Sequence, residues 1–339
     1  MGMIALPPGR GIGLGQKVTL TLERNGVVNE SPLSRAVQRI VRQGDRWRAA
    51  ISWPPQQGVD AGLMAAFLDQ ASDFGNWFCV DAPRLIQGAW STPNLVPEGD
   101  FQSGLSTWNK SGDATGSLSI NARKLRISNG TAETFARRNG IPWVAGKPLV
   151  AMADLVQPWT TSRWGIRVQE TAGGSATAAL SFSASTRGLL TYTPAAGVTG
   201  GRLDLRTQTA TAGDRSVFAN ASLARCLLVS GAGQSGSQIN VNGCDPNIAG
   251  ALAAGQFVTI VTPAGFELKR LTDDFDADGN GAGILCFSPS LRQSPADGAA
   301  IVVHAPFMRA YMPAGVSAGD IDAPMNYGFS IEALEDVTP

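Results

Sequence analysis

Apolar and polar residues alternate with period two along most of this chain, the signature of half-buried strands. Lys17-Val18-Thr19-Leu20-Thr21-Leu22 alternates, and Asn25-Gly26 behind it is a turn signal. From Trp47 to Trp53 large apolar residues alternate with small or polar ones until Pro54-Pro55 stops the run. One stretch changes to helical period. Leu63, Met64, Phe67, Leu68 and Ala71 share a face, Asp60 is placed to cap the N-terminus, and Gly75 ends the element. A strand over 77–80 follows, closed by Pro83.

Residues 94–225 have a different texture, dense in Gly, Ala, Ser and Thr. Strands are predicted over 117–120, 124–128, 149–155, 164–169, 179–183, 189–193 and 202–207, with no window of helical period. Short strands at that spacing predict a β-sandwich or jelly roll. Residues 226–339 return to mixed texture, with strands predicted over 238–241, 257–261, 267–271, 283–287 and 300–305. Asp245-Pro246, the shared face of Ile248 and Leu252, and the stop at Gly255 predict a two-turn helix. No internal repeat of fixed period is present.

The 27 Lys and Arg balance 27 Asp and Glu, which argues against a dedicated nucleic-acid binder. Charged residues make up 16% of the chain, against about 25% in an average globular protein. Such a surface suits a protein partly covered by partners, and so does the excess of 22 Arg over 5 Lys; a GC-rich genome produces the same bias. Charge is also unevenly placed. Residues 1–50 carry eight basic and three acidic side chains, while residues 311–339 carry five acids and no base. The two ends are complementary within one chain or between subunits, and a solvated acidic tail is the plain alternative. No signal-peptide pattern or spanning hydrophobic segment is present, so membrane insertion is not expected. Cys79, Cys226, Cys244 and Cys286 are widely spaced and are expected reduced and buried. The sequons at Asn29, Asn109, Asn129 and Asn220 are read as loop chemistry.

Catalytic constellations are lacking, so no enzyme activity, cofactor or metal is expected. The stretch Gly233-Gln234-Ser235-Gly236-Ser237 fails G-x-S-x-G because its second glycine comes one place early. His304 is the one imidazole, and its place in a Val-Val-His strand suits a structural, hydrogen-bonded role. Nothing pairs two carboxylates as glycoside hydrolysis requires. The Gly9, Gly11, Gly13, Gly15 run has no strand before it and no helix after it, so it reads as an arm or turn and not as a phosphate loop. Asp274, Asp276, Asp278 and Gly279 match the first half of an EF-hand loop, but Leu285 stands where the bidentate Glu belongs. That stretch reads as a hairpin tip. The aromatic residues of the middle stretch, Trp108, Trp143, Trp159, Trp164 and Tyr192, are the remaining chemical resource. Core burial is the commoner fate of each. As stacking platforms for a sugar ring the candidates are Trp159, Trp164, Trp143 and Tyr192, with Trp159 the best placed because it follows Pro158 in a predicted loop.

Two resemblances organise these observations. Residues 94–108, NLVPEGDFQSGLSTW, resemble the N-L-x-x-N-G-x-F-E-x-G-x-x-x-W opening of carbohydrate-binding-module jelly rolls. Residues 217–223, VFANASL, are similar to their closing F-D-N-V-x-L strand. The resemblance implies a galactose-binding-like β-sandwich. Gln102 and Ala219 replace acids that help hold a structural calcium in that family, which puts the ion in doubt here. The flanks are similar instead to distal tail or baseplate proteins of long-tailed, siphovirus-like bacteriophages. The carriers are W-x-A-x-I-x-W-P-P from Trp47, A-A-F-L in the helix, W-F-x-V-D-x-P from Trp77, and four ordered motifs ending in Phe287-Ser288-Pro289-Ser290-Leu291-Arg292.

Together these imply a mainly β protein. A discontinuous β-sandwich or barrel-like tail domain with one or two short helices would form from residues 1–93 and 226–339, and the jelly roll would be inserted at 94–225. The implied role is a structural virion protein of the tail tip. It would form a symmetric ring, trimeric or hexameric, that links the tail tube to the central hub, be assembled in the host cytoplasm, and turn an outward module toward host-surface polysaccharide. A freestanding glycan-binding protein, or a module of a polysaccharide-degrading enzyme, is the alternative, and a tail-associated glycosidase is a third reading.

Overall fold

The computed structural model describes residues 3–4, 17–313, 318–322 and 326–337, except 31, 33, 36, 42–43, 57, 74–75, 84–85, 91, 102–103, 122–123, 131, 159–163, 171–176, 183–185 and 208–214. The glycine run at 9–15 lies outside the described residues. The fold is mainly β, with one α-helix among the described residues, and no helix is long and apolar enough to cross a membrane.

Strands from both chain ends build one sheet. Its order is Lys17–Glu23, Arg46–Gln56, Asn326–Glu335, Phe307–Tyr311, Phe78–Asp81, and Ala318–Asp322 also pairs with Asn326–Glu335. The alternation around Trp47 explains the pairing. Trp47, Ala49, Ile51 and Trp53 point into the core, and Ile51 and Ala49 stand opposite Ile331 and Ala333. The helix spans Gly58–Ala71 and packs Ala61, Met64, Phe67, Leu68 and Ala71 on this sheet, with Phe67 edge-on to Phe78. It starts before Asp60, and the Asp60 and Leu63 side chains lie outside the described residues. The complementary ends therefore meet within one chain, Arg48 lying 3.6 Å from Glu332. Such an exposed pair adds little stability.

The second body is a closed six-stranded barrel in the order Leu227–Val229, Gln238–Asn242, Gly283–Ser288, Gly265–Leu271, Phe257–Thr262, Ala300–Val302. Closure leaves no free edge. Leu227, Val229, Ile239, Val241, Val258, Ile260, Leu285, Phe287 and Ile301 fill its interior. The barrel joins the chain-end sheet through buried polar contacts. Trp47 Nε1 donates to Leu268 O at 2.9 Å, and the buried Glu335 accepts from the Trp47 amide and pairs with Arg292 at 2.9 Å.

The helix expected after Asp245 is not formed. Ile248–Leu252 is a strand paired with Phe275–Ala277. Asn247 and Gly250 both take φ +58°, which breaks an α-helix. The carbonyls of Gly250 and Ala251 accept from the amides of Ala89 and Trp90, so tertiary partners replace the helical ones. The aspartates nearby cap backbone. Asp274 accepts from the Ala254 amide, Asp276 from Gly250, and Asp278 from Asn280 and Ala282. Those last bonds hold the Asp278 carboxyl below the usual carboxylate range.

Residues 94–225 form two facing antiparallel five-stranded sheets. The inner sheet runs Thr186–Tyr192, Leu149–Pro158, Arg215–Arg225, Lys124–Ser128, Ser117–Asn121. The outer sheet runs Thr177–Phe182, Trp164–Glu170, Gly200–Thr207, Thr134–Pro142, Asn109–Gly112. Phe101, Trp108, Leu125, Ile127, Trp164, Ile166, Val168, Leu203, Leu205 and Phe218 pack between them. The loop reading of the sequons fails. Asn29, Asn109 and Asn220 lie in strands, and Asn129 is buried where it accepts the Thr134 amide at 3.2 Å. The four cysteines form no disulfide, and three are buried while Cys286 is half-buried.

Candidate functional site

Within the strand Leu149–Pro158, residues 149–153 are apolar on both faces, and this seats the sandwich against the flanks. Leu149, Ala151, Ala153 and Leu155 enter the sandwich core. Val150 and Met152, pointing the other way, pack with Cys79, Cys226, Val302 and Phe307 of the flanks. An ionic lock continues this seam. Arg187 donates to both Asp154 oxygens, at 2.6 and 2.8 Å, and to Asp81 at 2.8 Å. Its guanidinium lies 4.4 Å over the Phe307 ring, and Asn220 donates to Asp154 at 2.8 Å. Arg187 and Asp154 are only 6% and 2% exposed. Burial pushes the adjacent Cys79 thiol far up, so it is an inert core group. A second lock holds the sandwich to the barrel. Arg225 grips Asp245 with two nitrogens at 2.6 and 2.9 Å, under the Trp90 ring, and Lys147 donates to Cys244 O. Arg225 holds the Asp245 carboxyl below its ordinary range. Both clusters join bodies and contain no nucleophile–base pair.

The aromatic candidates divide. Trp164 is fully buried against Phe218, so it is a core residue and offers no face to a sugar. Its position follows from the alternation with Ile166 and Val168. Trp159 lies outside the described residues. Trp143 and Tyr192 do come together, with ring centroids 6.1 Å apart. Trp143 is buried over Gly201, where a Cβ would overlap its ring. The Tyr192 hydroxyl donates to Glu170 at 2.6 Å, and the Ala195 amide donates to the same oxygen at 2.8 Å. The hydroxyl and that amide hold the Glu170 carboxyl below its usual range, and burial with the carboxylate pushes the phenol up. Trp143 belongs to the sandwich core and Tyr192 packs against it. His304 is buried and hydrogen-bonded, its Nδ1 within 2.7 Å of Thr92 O.

Sequence reasoning missed the outward face of the outer sheet. Leu203 and Leu205 point inward, so Arg202, Asp204 and Arg206 point out. The pairing register sets Arg137, Asp204 and Arg167 in one row across three strands. Asp204 is fully buried beneath these arginines. It accepts from Arg137 Nε at 2.8 Å and Arg167 Nε at 2.9 Å, with Arg202 Nε 3.8 Å away. The half-buried Phe135 stands opposite Arg206 in the next row, with the Arg167 guanidinium 4.7 Å above its ring. Arg202 also donates to Gln169, and Arg206 to Ser181. Burial, and the neighbouring Arg137, hold Arg202 below the ordinary arginine range. The available signal was the recurrence of arginine in Thr134–Pro142, Trp164–Glu170 and Gly200–Thr207, the three central strands of the outer sheet.

No protein-family model and no curated protein matches the chain. Solved structures similar to it include the carbohydrate-binding module TmCBM61 in complex with beta-1,4-galactotriose, at 12% identity and TM-score 0.32, covering 39% of this chain and 99% of that one. The enzymatically active domain of tailspike protein 4 from bacteriophage CBA120 matches at 13% identity and TM-score 0.32, over 39% of this chain and 21% of that one. The xylan-binding domain from CBM 22 matches at 13% identity and TM-score 0.27, over 43% of this chain and 96% of that one. The chain itself is mainly β and carries a two-sheet antiparallel sandwich.

Proposed function

We propose that this chain is a structural protein of a bacteriophage tail tip, and that its sandwich is a glycan-contacting module carried on the tail body. In this reading the flanks assemble as a ring of three or six subunits that links tail tube to hub, in the finished virion. The work is interfacial, with no turnover. The observation that carries the reading is the mounting of the sandwich. Its inner sheet is locked to the flanks by Val150, Met152 and the buried Arg187–Asp154 pair, while its outer sheet turns a polar face the opposite way. A module held rigidly by one face keeps the other presented, and less binding energy is then lost to ordering.

Two measurements on the full chain test this. Native mass with electron-microscope class averages should show a closed ring with an open centre. A monodisperse monomer near 35.3 kDa would overturn the ring and favour a freestanding glycan-binding protein. Excess host-surface oligosaccharide should displace the chain from host cells. Undiminished binding would overturn the glycan contact.

A further inference from the structure

We propose that the outward face of the outer sheet binds an acidic polysaccharide, its carboxylates seated among Arg137, Arg167, Arg202 and Arg206. This rests on the glycan-contacting reading and names its substrate class. Four guanidiniums from three adjacent strands share this face. Among the described residues, the carboxylates beside them are Asp204, buried beneath the guanidiniums, and Glu133, which acts on Arg206. The face therefore keeps a positive surplus in a chain whose overall charge is zero. Arginine stays ionised at any physiological pH, so that surplus is permanent.

The arginines are also held in place before any ligand arrives. Asp204 anchors Arg137 and Arg167 from below, the Phe135 ring supports Arg167, and Gln169 and Ser181 receive Arg202 and Arg206. Preorganised guanidiniums lose less freedom on binding, and their planar fork matches a carboxylate. Successive outward residues along a strand are about 7 Å apart. The face thus offers rows of charge on a shallow, extended surface, suited to a linear polymer with repeated carboxylates. Asn109, Ser111 and Ser181, at the outward positions of the edge strands, are neutral partners suited to sugar hydroxyls. Single-stranded nucleic acid fits less well, because it needs open aromatic faces for its bases, and the ring on this face, Phe135, is covered by Arg167.

The test uses the full chain and affinity electrophoresis through gels containing polygalacturonate, neutral galactan or neutral xylan, with a single-stranded DNA oligonucleotide as a separate probe. Polygalacturonate should retard the chain, less so as salt rises, and the neutral polymers should not. The double variant Arg202→Gln/Arg206→Gln keeps both arginines that anchor Asp204. It should keep its melting temperature and bind polygalacturonate at least tenfold more weakly. Retardation by a neutral polymer, unchanged in the double variant, would overturn this inference and leave the glycan reading standing. Failure to bind any polysaccharide would overturn both. DNA binding as tight as polygalacturonate binding would overturn acidic-glycan specificity. Should the double variant melt lower, Arg202→Lys alone provides the comparison. It keeps the charge but not the planar fork, so it should bind polygalacturonate more weakly than the parent and more strongly than the double variant, and binding equal to the parent would count against carboxylates seated among these guanidiniums.

Discussion

Arg187→Ala should loosen the sandwich from its body. The substitution leaves Asp154, only 2% exposed, with the Asn220 hydrogen bond and the more distant Lys124 charge in place of a bidentate guanidinium. Removing one member of a buried pair costs about 3–5 kcal/mol, because the other charge stays desolvated. Asp81 loses a partner too, but it is 34% exposed, and a pair at such a site is worth roughly 0–1 kcal/mol. The guanidinium also leaves the Phe307 ring, a contact worth about 2 kcal/mol when desolvated. These terms share one side chain and do not add fully, so the expected loss is about 4 kcal/mol. At roughly 2–4 °C per kcal/mol for a unit of this size, the transition that includes the sandwich should fall by on the order of 10 °C. Differential scanning calorimetry of the full chain reads this directly. Arg187→Met with Asp154→Leu should recover most of the loss, since an apolar pair of similar volume replaces a buried ion pair at little cost. A single variant within about 2 °C of the parent, or a double variant no better than the single, would refute the argument. Polygalacturonate binding by folded Arg187→Ala should be unchanged, because the opposite sheet carries it.

Two further outcomes separate structural from ligand-facing aromatics. Trp164→Ala should cost about 3–5 kcal/mol in denaturant unfolding and leave sugar affinity per folded molecule unchanged; weakened binding at intact stability would contradict its burial. Tyr192→Phe should change the acid dependence of melting. The Glu170 carboxyl is held low chiefly by the Tyr192 hydroxyl. Its stabilisation is therefore present above the unfolded carboxylate value, near about pH 4.3, and is lost as pH falls through the lower folded value. The variant should melt below the parent at neutral pH, and the gap should narrow in acid. A gap that stays constant down to pH ~3 would refute the assignment.

Where side-chain period alone decided the structure, the sequence sufficed. Lys124–Ser128 is a strand as read, and the Trp47 run, the helix carrying Met64 and Phe67, and most strands of the sandwich follow from which positions must leave water. Where a local signal competed with a distant partner, it failed. Asp245-Pro246 and Gly255 are sound helix ends, yet the segment between them is a strand, because Phe275–Ala277 and the backbone of Ala89 and Trp90 take its hydrogen bonds. Thr134–Pro142 was missed because a register shift between Gly201 and Leu203 spoils its alternation around Arg138. Trp164 could not be told from a sugar platform, since alternation says that a side chain is on one face but not which face is covered, and Trp143 lies beyond the end of Thr134–Pro142, where alternation says nothing. The arginine face is the extreme case. Arg137 and Asp204 are 67 residues apart, and Arg167 lies 37 from Asp204. Nothing local relates them; strand register, set by packing of the residues between, brings three charges into one row.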